Sequence, residues 1–174
     1  MSVVKEQDAI AAVADPTLLG AVVTAVGSCL SMCQTEARCV GVSAIPLRDP
    51  GNITGMIGVH GNSSGFVTVN LSDQVAMRSV GGLLEDTFES VNHQVIDGVG
   101  EITNIIAGGI KSNLSGTPWA FNHVTVPSVI IGQNYKIAYS SGLAYVAATF
   151  EHQKSELLML EERLIQVAIS LIRL

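Results

Sequence analysis

Three polar side chains break an otherwise apolar helical pattern in the middle of the chain: Asp97, Glu101 and Asn104. Counted from Asp97 at about 100° per residue, Glu101 falls near ~40° and Asn104 near ~340°. Val99, Ile102, Ile106 and Ile110 fall between about 140° and 220° on the same wheel. One face of this helix therefore packs, and the opposite face carries two carboxylates and an amide. His93 and Lys111, both near ~320°, share that polar stripe. A stripe of this kind is in the first place a solvated helix face. Asp97 and Glu101 are also the residue types of general acid–base work, which requires a concave pocket around them.

The glycines weigh against a purely solvated face. Gly98, Gly100, Gly108 and Gly109 all lie in the same helical pattern, and each interior glycine costs a helix about 1 kcal/mol relative to alanine. Gly98 and Gly109 fall near ~100–120°, beside the apolar face, where close packing against another helix accounts for them. Gly100 and Gly108 fall on or beside the polar stripe. Bare backbone there lets a bulky partner approach Glu101 and Asn104. Gly100, Gly108 and Lys111 are therefore expected at a partner-contact surface.

The spacing Asp97, three residues, Glu101, two residues, Asn104, 22 residues, Pro127 resembles that of the CheC/CheX chemotaxis phosphatases. The surrounding text, GVGEITNIIAGGIKSNL, is similar to that family's helix. The first helical segment, DPTLLGAVVTAVGSCLSM, lacks a second Glu-x-x-Asn, and a single central copy is the CheX-like arrangement. The resemblance implies an α+β fold and a phosphatase acting on the aspartyl phosphate of a CheY-like response regulator. It implies that Asn104 orients the attacking water and that Glu101 pairs with the regulator's active-site Lys. Asp97 and Pro127 support the motif, Pro127 as a rigid strand entry. No cofactor is expected on this chain, because the regulator supplies Mg²⁺. The chemistry suits the residue types: an amide accepts from water and donates to a phosphate oxygen without repelling the anion. A non-catalytic adaptor or switch-type domain of the same superfamily is the alternative.

Composition bounds the rest. The chain has 174 residues, 48% hydrophobic and 14% charged, with 9 Lys+Arg against 15 Asp+Glu. Disorder is excluded by the hydrophobicity. The net charge of −6 argues against binding nucleic acid or an anionic membrane surface, both of which need clustered Lys and Arg. Cys29, Cys33 and Cys39 are odd in number, and the four histidines lie far from them in sequence. They read as buried, reduced thiols rather than a disulfide framework or a metal site, which points to the cytoplasm. Thr17–Cys33 is uncharged but rich in Gly, Ala, Ser and Thr, with an acidic flank. It is expected to be an amphipathic or buried helix rather than a signal peptide.

The elements that must position the stripe follow from local signals. Residues 1–174 are expected to form one domain. Asp15-Pro16 starts a helix over 16–34. Residues 38–47 form a strand, and 53–60 and 65–71 flank Gly61-Asn62-Ser63-Ser64 as a hairpin. Ser72 caps a helix over 73–84, and Thr87 opens the long helix over 86–113. Strands are expected at 122–131, 134–139, 143–151 and 155–161. Residues 162–174 fit either a helix or a strand. The order predicts an α+β fold, an antiparallel-rich sheet with long helices packed on one face. The 143–151 strand, free of Lys and Pro, reads as an unguarded edge. Together with the family resemblance and the scarcity of charge, this predicts a homodimer, unless residues 163–174 cover that edge.

Overall fold

The computed structural model describes residues 14–46, 48–132, 135, 137, 139, 142–153 and 159–173. The first helix, α1, spans Pro16–Met32. The Asp15 carboxylate caps it, accepting from the N–H groups of Thr17 and Leu18 at 2.9 and 3.2 Å. Pro16 has no N–H to leave unsatisfied there. After α1 come β1 (Ala37–Ser43), β2 (Ile53–Gly61) and β3 (Ser63–Leu71), then helices α2 (Asp73–Leu84) and α3 (His93–Asn113). The chain ends through β4 (Phe121–Val124), β5 (Ser128–Ile131), β6 (Ala144–His152), a 3₁₀ turn (Leu160–Arg163) and β7 (Leu164–Arg173).

Among the described residues the strands form one antiparallel sheet in the order β1-β6-β7-β3-β2-β4, with β5 also on β2. Helices cover one face, so the fold is the expected α+β arrangement. Ile53, Ile57, Val67, Val69, Val146, Ala148, Ile165, Val167 and Ile169 alternate onto that face and are buried with the apolar sides of α1, α2 and α3. The opposite face carries Phe66 and Tyr145, with Tyr139 stacked on Phe66 at 5.7 Å and edge-on to Tyr145 at 5.2 Å. On the same face Tyr135 hydrogen-bonds Thr54 and donates to Asp49.

Several boundaries differ from the sequence-based expectation. Helix α3 starts at His93, because Asn92 rather than Thr87 caps it, its side chain accepting from Val95 N–H at 3.0 Å. The 122–131 strand is two strands, β4 and β5, parted at Thr125–Pro127. Of the expected 155–161 strand, residues 160 and 161 belong instead to the 3₁₀ turn, and 155–158 lie outside the described residues, as does much of 134–139. The 143–151 segment is a strand but not an edge. It lies between β1 and β7 with hydrogen-bonded partners on both sides. The closing residues form β7, which fills the gap between β6 and β3. Cys29 and Cys33 are buried as free thiols, whereas Cys39 is exposed on β1. β1 is an edge strand whose Ala37 and Val42 pack against the core, while its residues 38–40, Cys39 among them, are exposed.

Candidate functional site on helix α3

Helix α3 is held on three sides. Val95, Val99, Ile102, Ile106 and Ile110 are buried in the core. Toward α2, a Cβ at Gly98 would stand 2.4 Å from Val80 Cγ1, and toward α1 a Cβ at Gly109 would stand 2.9 Å from Ala25 Cβ. Both glycines therefore serve close helix packing, as their wheel positions predict. Toward the sheet, a Cβ at Gly55 on β2 would meet the Thr103 hydroxyl. Thr103 is fully buried and donates back to Val99 O at 2.7 Å. Cys29 on α1 points its thiol at Ile102 O at 3.9 Å. Contact with Cys33 and burial push that thiol's pKa up, so it stays protonated.

These contacts leave the polar stripe outward. Asp97 and Glu101 are exposed, and Asn104 is half-buried one turn further on. Among the described residues, none of the three side chains forms a hydrogen bond or ion pair within the chain. Glu101 and Asn104, three apart on a helix, project side by side. Gly108 sits further along, and a Cβ there would meet nothing within 4 Å. Lys111 is exposed and donates to Asn122 O at 3.3 Å, which ties the end of α3 to β4. His93 is exposed at the first turn.

Gly100 departs from the expectation of partner contact. It is buried, and a Cβ on it would lie 3.7 Å from Pro127 Cγ and 3.8 Å from Val129 Cγ2. Pro127 thus meets the motif helix directly. The bulky group that approaches Gly100 is the protein's own edge strand. Asp97, Glu101, Asn104, Gly108 and Lys111 remain together on the open stripe.

Two residues that support this site were not singled out from the sequence. Gly55 permits α3 to sit on β2, and glycine within a strand is the usual mark of such an approach. Val126, beside Pro127, is 85% exposed. A cleft of about 700 Å³ next to α2 is lined by Gln34, Met77, Arg78, Glu85 and Phe88, among others, and not by Asp97 or Glu101. The two carboxylates stand on a convex helix face, which does not provide the pocket an acid–base pair requires.

Comparison with known proteins agrees with this arrangement. The CheC-like superfamily protein of Shewanella sp. PV-4 superposes with a TM-score of 0.74 at 22% identity, covering 91% of this chain and 99% of that one. CheX of Vibrio vulnificus superposes at 0.71 and 20% identity, covering 91% and 98%. CheX in the CheX–CheY–BeF₃–Mg²⁺ complex of Borrelia burgdorferi superposes at 0.69 and 19% identity, covering 88% and 96%. No curated protein matches the sequence. The family model described as chemotaxis phosphatase CheX matches residues 53–151, more than half of the chain. Those residues run from the first residue of β2 through α3 to β6, so the chain belongs to the chemotaxis phosphatase CheX family.

Proposed function

We propose that this protein hydrolyses the aspartyl phosphate of a CheY-like response regulator. The observation that carries this reading is the pair Glu101 and Asn104. Their side chains project from a helix fixed on its other sides, Glu101 exposed and Asn104 half-buried, and among the described residues neither has a partner in its own chain. Membership of the CheX family supports it, as does the existence of a Borrelia CheX complex with CheY, BeF₃ and Mg²⁺.

In this reading a water attacks phosphorus in line with the bond to the regulator's aspartate. The new P–O bond forms as the old one breaks. Phosphate and a free aspartate carboxylate result, and the water's proton passes to solvent. The acyl phosphate is already activated, so most of what the phosphatase adds is position. Asn104 holds the water through its amide oxygen and donates from its NH₂ to a phosphate oxygen. Glu101 pairs with the regulator's Lys, which fixes register. Asp97 and Lys111 border the contact, and Gly108 leaves room for the regulator's backbone. The Mg²⁺ belongs to the regulator, and the reaction takes place in the cytoplasm.

Residues 164–173 cover the β6 edge expected to pair two chains, so a pairing of two copies is proposed through a different edge. Among the described residues the sheet has two open edges, β1 on one side and β4 with β5 on the other. β1 exposes Val40 at 46%, with Ile45 at 64% just beyond it, and an exposed apolar edge strand invites pairing with another chain. Pairing through β1 leaves α3 free on the far side of the sheet. The test of the main reading is loss of phosphate from a phosphorylated CheY-like regulator. Catalytic amounts of this protein should accelerate it over the regulator's own decay, and an unchanged decay with intact binding would favour the adaptor alternative.

A further inference from the structure

Strands β4 and β5 lie on β2 in two different registers. Val59 pairs with Val124 and His60 with His123, whereas Met56 pairs with Ser128 and Gly55 with Val129. The two registers differ by one residue. Thr125 continues the first, its N–H donating to Gly58 O and its hydroxyl accepting from Gly58 N–H, both at 2.9 Å. Val126 and Pro127 therefore share the place opposite Ile57. This is a β-bulge, which re-aims side chains and recurs at sheet edges next to functional sites.

The bulge turns the two residues to different tasks. Pro127 packs on Gly100. Val126 points away from the protein, and at 85% no large apolar side chain among the described residues is more exposed. The bulge also fixes which side of α3 it borders. Gly100 falls near ~300° on the helix wheel and Asn104 near ~340°, one turn apart on neighbouring rows. The edge strands run alongside α3 in the opposite direction, from Asn122 at Lys111 to Pro127 and Val129 at Gly100. Ile131, 55% exposed, lies two residues beyond Val129 on the same face of β5. On the side of α3 that carries Gly100, the polar stripe is thus bordered by Pro127 and Val129, with Val126 and Ile131 bare on either side of them.

We infer that Val126, with Ile131, is a contact surface for the receiver domain, taking an apolar patch of the receiver beside its phosphorylated aspartate. This rests on the function proposed above and adds the apolar half of the interface. A stable protein contact covers about 800 Å² on each partner, far more than Glu101 and Asn104 present. The footprint must spread sideways from them. A partner that brings its phosphoryl group to Asn104 meets the bulge next, because Pro127 packs on Gly100, one turn from Asn104 on a neighbouring row. Buried apolar anchors flanked by polar groups are the usual form of an interface centre.

The test measures binding and turnover with a CheY-type receiver from the same organism, activated by beryllofluoride and Mg²⁺ for binding and by acetyl phosphate for turnover. Val126→Asp and Ile131→Asp should each weaken binding about 10-fold or more and raise KM in parallel, while kcat stays within about twofold. Val126→Ile should bind as the wild type does. Both positions are exposed, so the thermal midpoints should stay level, and the uncharged Val126→Ser, expected to weaken binding in the same direction, covers the case in which the charged variant's midpoint falls. If the wild type binds and dephosphorylates the receiver while Val126→Asp and Ile131→Asp keep its Kd and KM, the apolar surface is wrong and the proposed function stands. If the wild type neither binds nor dephosphorylates any receiver of its organism, the proposed function fails and this surface falls with it.

Discussion

Gly55 and Thr103 interlock: the hydroxyl of Thr103 occupies the space into which a side chain at Gly55 would project. Thr103 lies between Glu101 and Asn104 in sequence, on the buried side of the same turn. The height of the two outward side chains above the sheet is therefore set by a glycine on β2. Gly55→Ala should destabilise the fold by about 1–3 kcal/mol, as overpacking of a filled core does. It should also lower dephosphorylation by more than the loss of folded protein accounts for. Adding Thr103→Ala should recover part of the stability in urea unfolding, since it removes the atom nearest the new methyl. Additive losses in the double variant would show that the two residues do not constrain each other.

Gly108 tests the open end of the stripe. No atom lies within 4 Å of a Cβ built there, so Gly108→Leu is accommodated by the fold. The thermal midpoint should hold or rise, because glycine is a poor helix former by about 1 kcal/mol. Receiver turnover should fall about 100-fold, the cost of displacing reacting groups by about 1 Å. A variant that unfolds less readily and still dephosphorylates normally would place Gly108 outside the interface.

The stability should decline in mild acid through His152. This residue is buried at the end of β6. Burial and the nearby positive charge of Arg78 hold its pKa below the ordinary histidine value. A lowered folded-state pKa means the unfolded chain binds the proton more readily. Its contribution is thus complete above the unfolded value, near ~6.5, and is lost as pH falls below that value toward the folded one. Urea midpoints between pH 7.5 and 5 should fall in the wild type and fall less in His152→Gln. Parallel profiles would remove His152 as the cause.

Much of this arrangement is legible in the sequence, and what is not has a common reason. The Asp15-Pro16 start, the β2–β3 hairpin and the phase of α3 are local, set by caps, turn residues and periodicity, and they stand in the structure. The facing of Asp97, Glu101 and Asn104 away from the core follows from the same periodicity. Neighbour relations did not follow. β6 lies inside the sheet because β1 and β7 take up its two hydrogen-bonding edges, and the side chains of a strand do not record whether those edges are paired. Residues 162–174 gave no period because β7 is buried along most of its length. The bulge at Thr125–Pro127 depends on the register of two strands against a third. Gly100 misled for the same reason: the group that covers it is Pro127, far along the chain.

Pairing of two chains is measured by light scattering at micromolar concentration. The mass should be twice that of one chain, and Val40→Lys on β1 should return it toward the single-chain value, since edge charges oppose strand pairing. Receiver dephosphorylation per site should be little changed in that variant, because α3 lies on the sheet face away from the edge hydrogen bonds. A wild-type mass of one chain would exclude the dimer.

In the proposed reaction Asn104 positions the attacking water while Glu101 anchors the receiver. The direct measurement compares Asn104→Ala with Glu101→Ala, using receiver affinity and the rate of phosphate loss at saturating phosphatase. Asn104→Ala should bind the activated receiver within a few-fold of wild type and lose about 100-fold in rate. Glu101→Ala should weaken binding roughly 10-fold or more and lose rate as well. Wild-type dephosphorylation by Asn104→Ala, with the receiver bound, would contradict the claim outright.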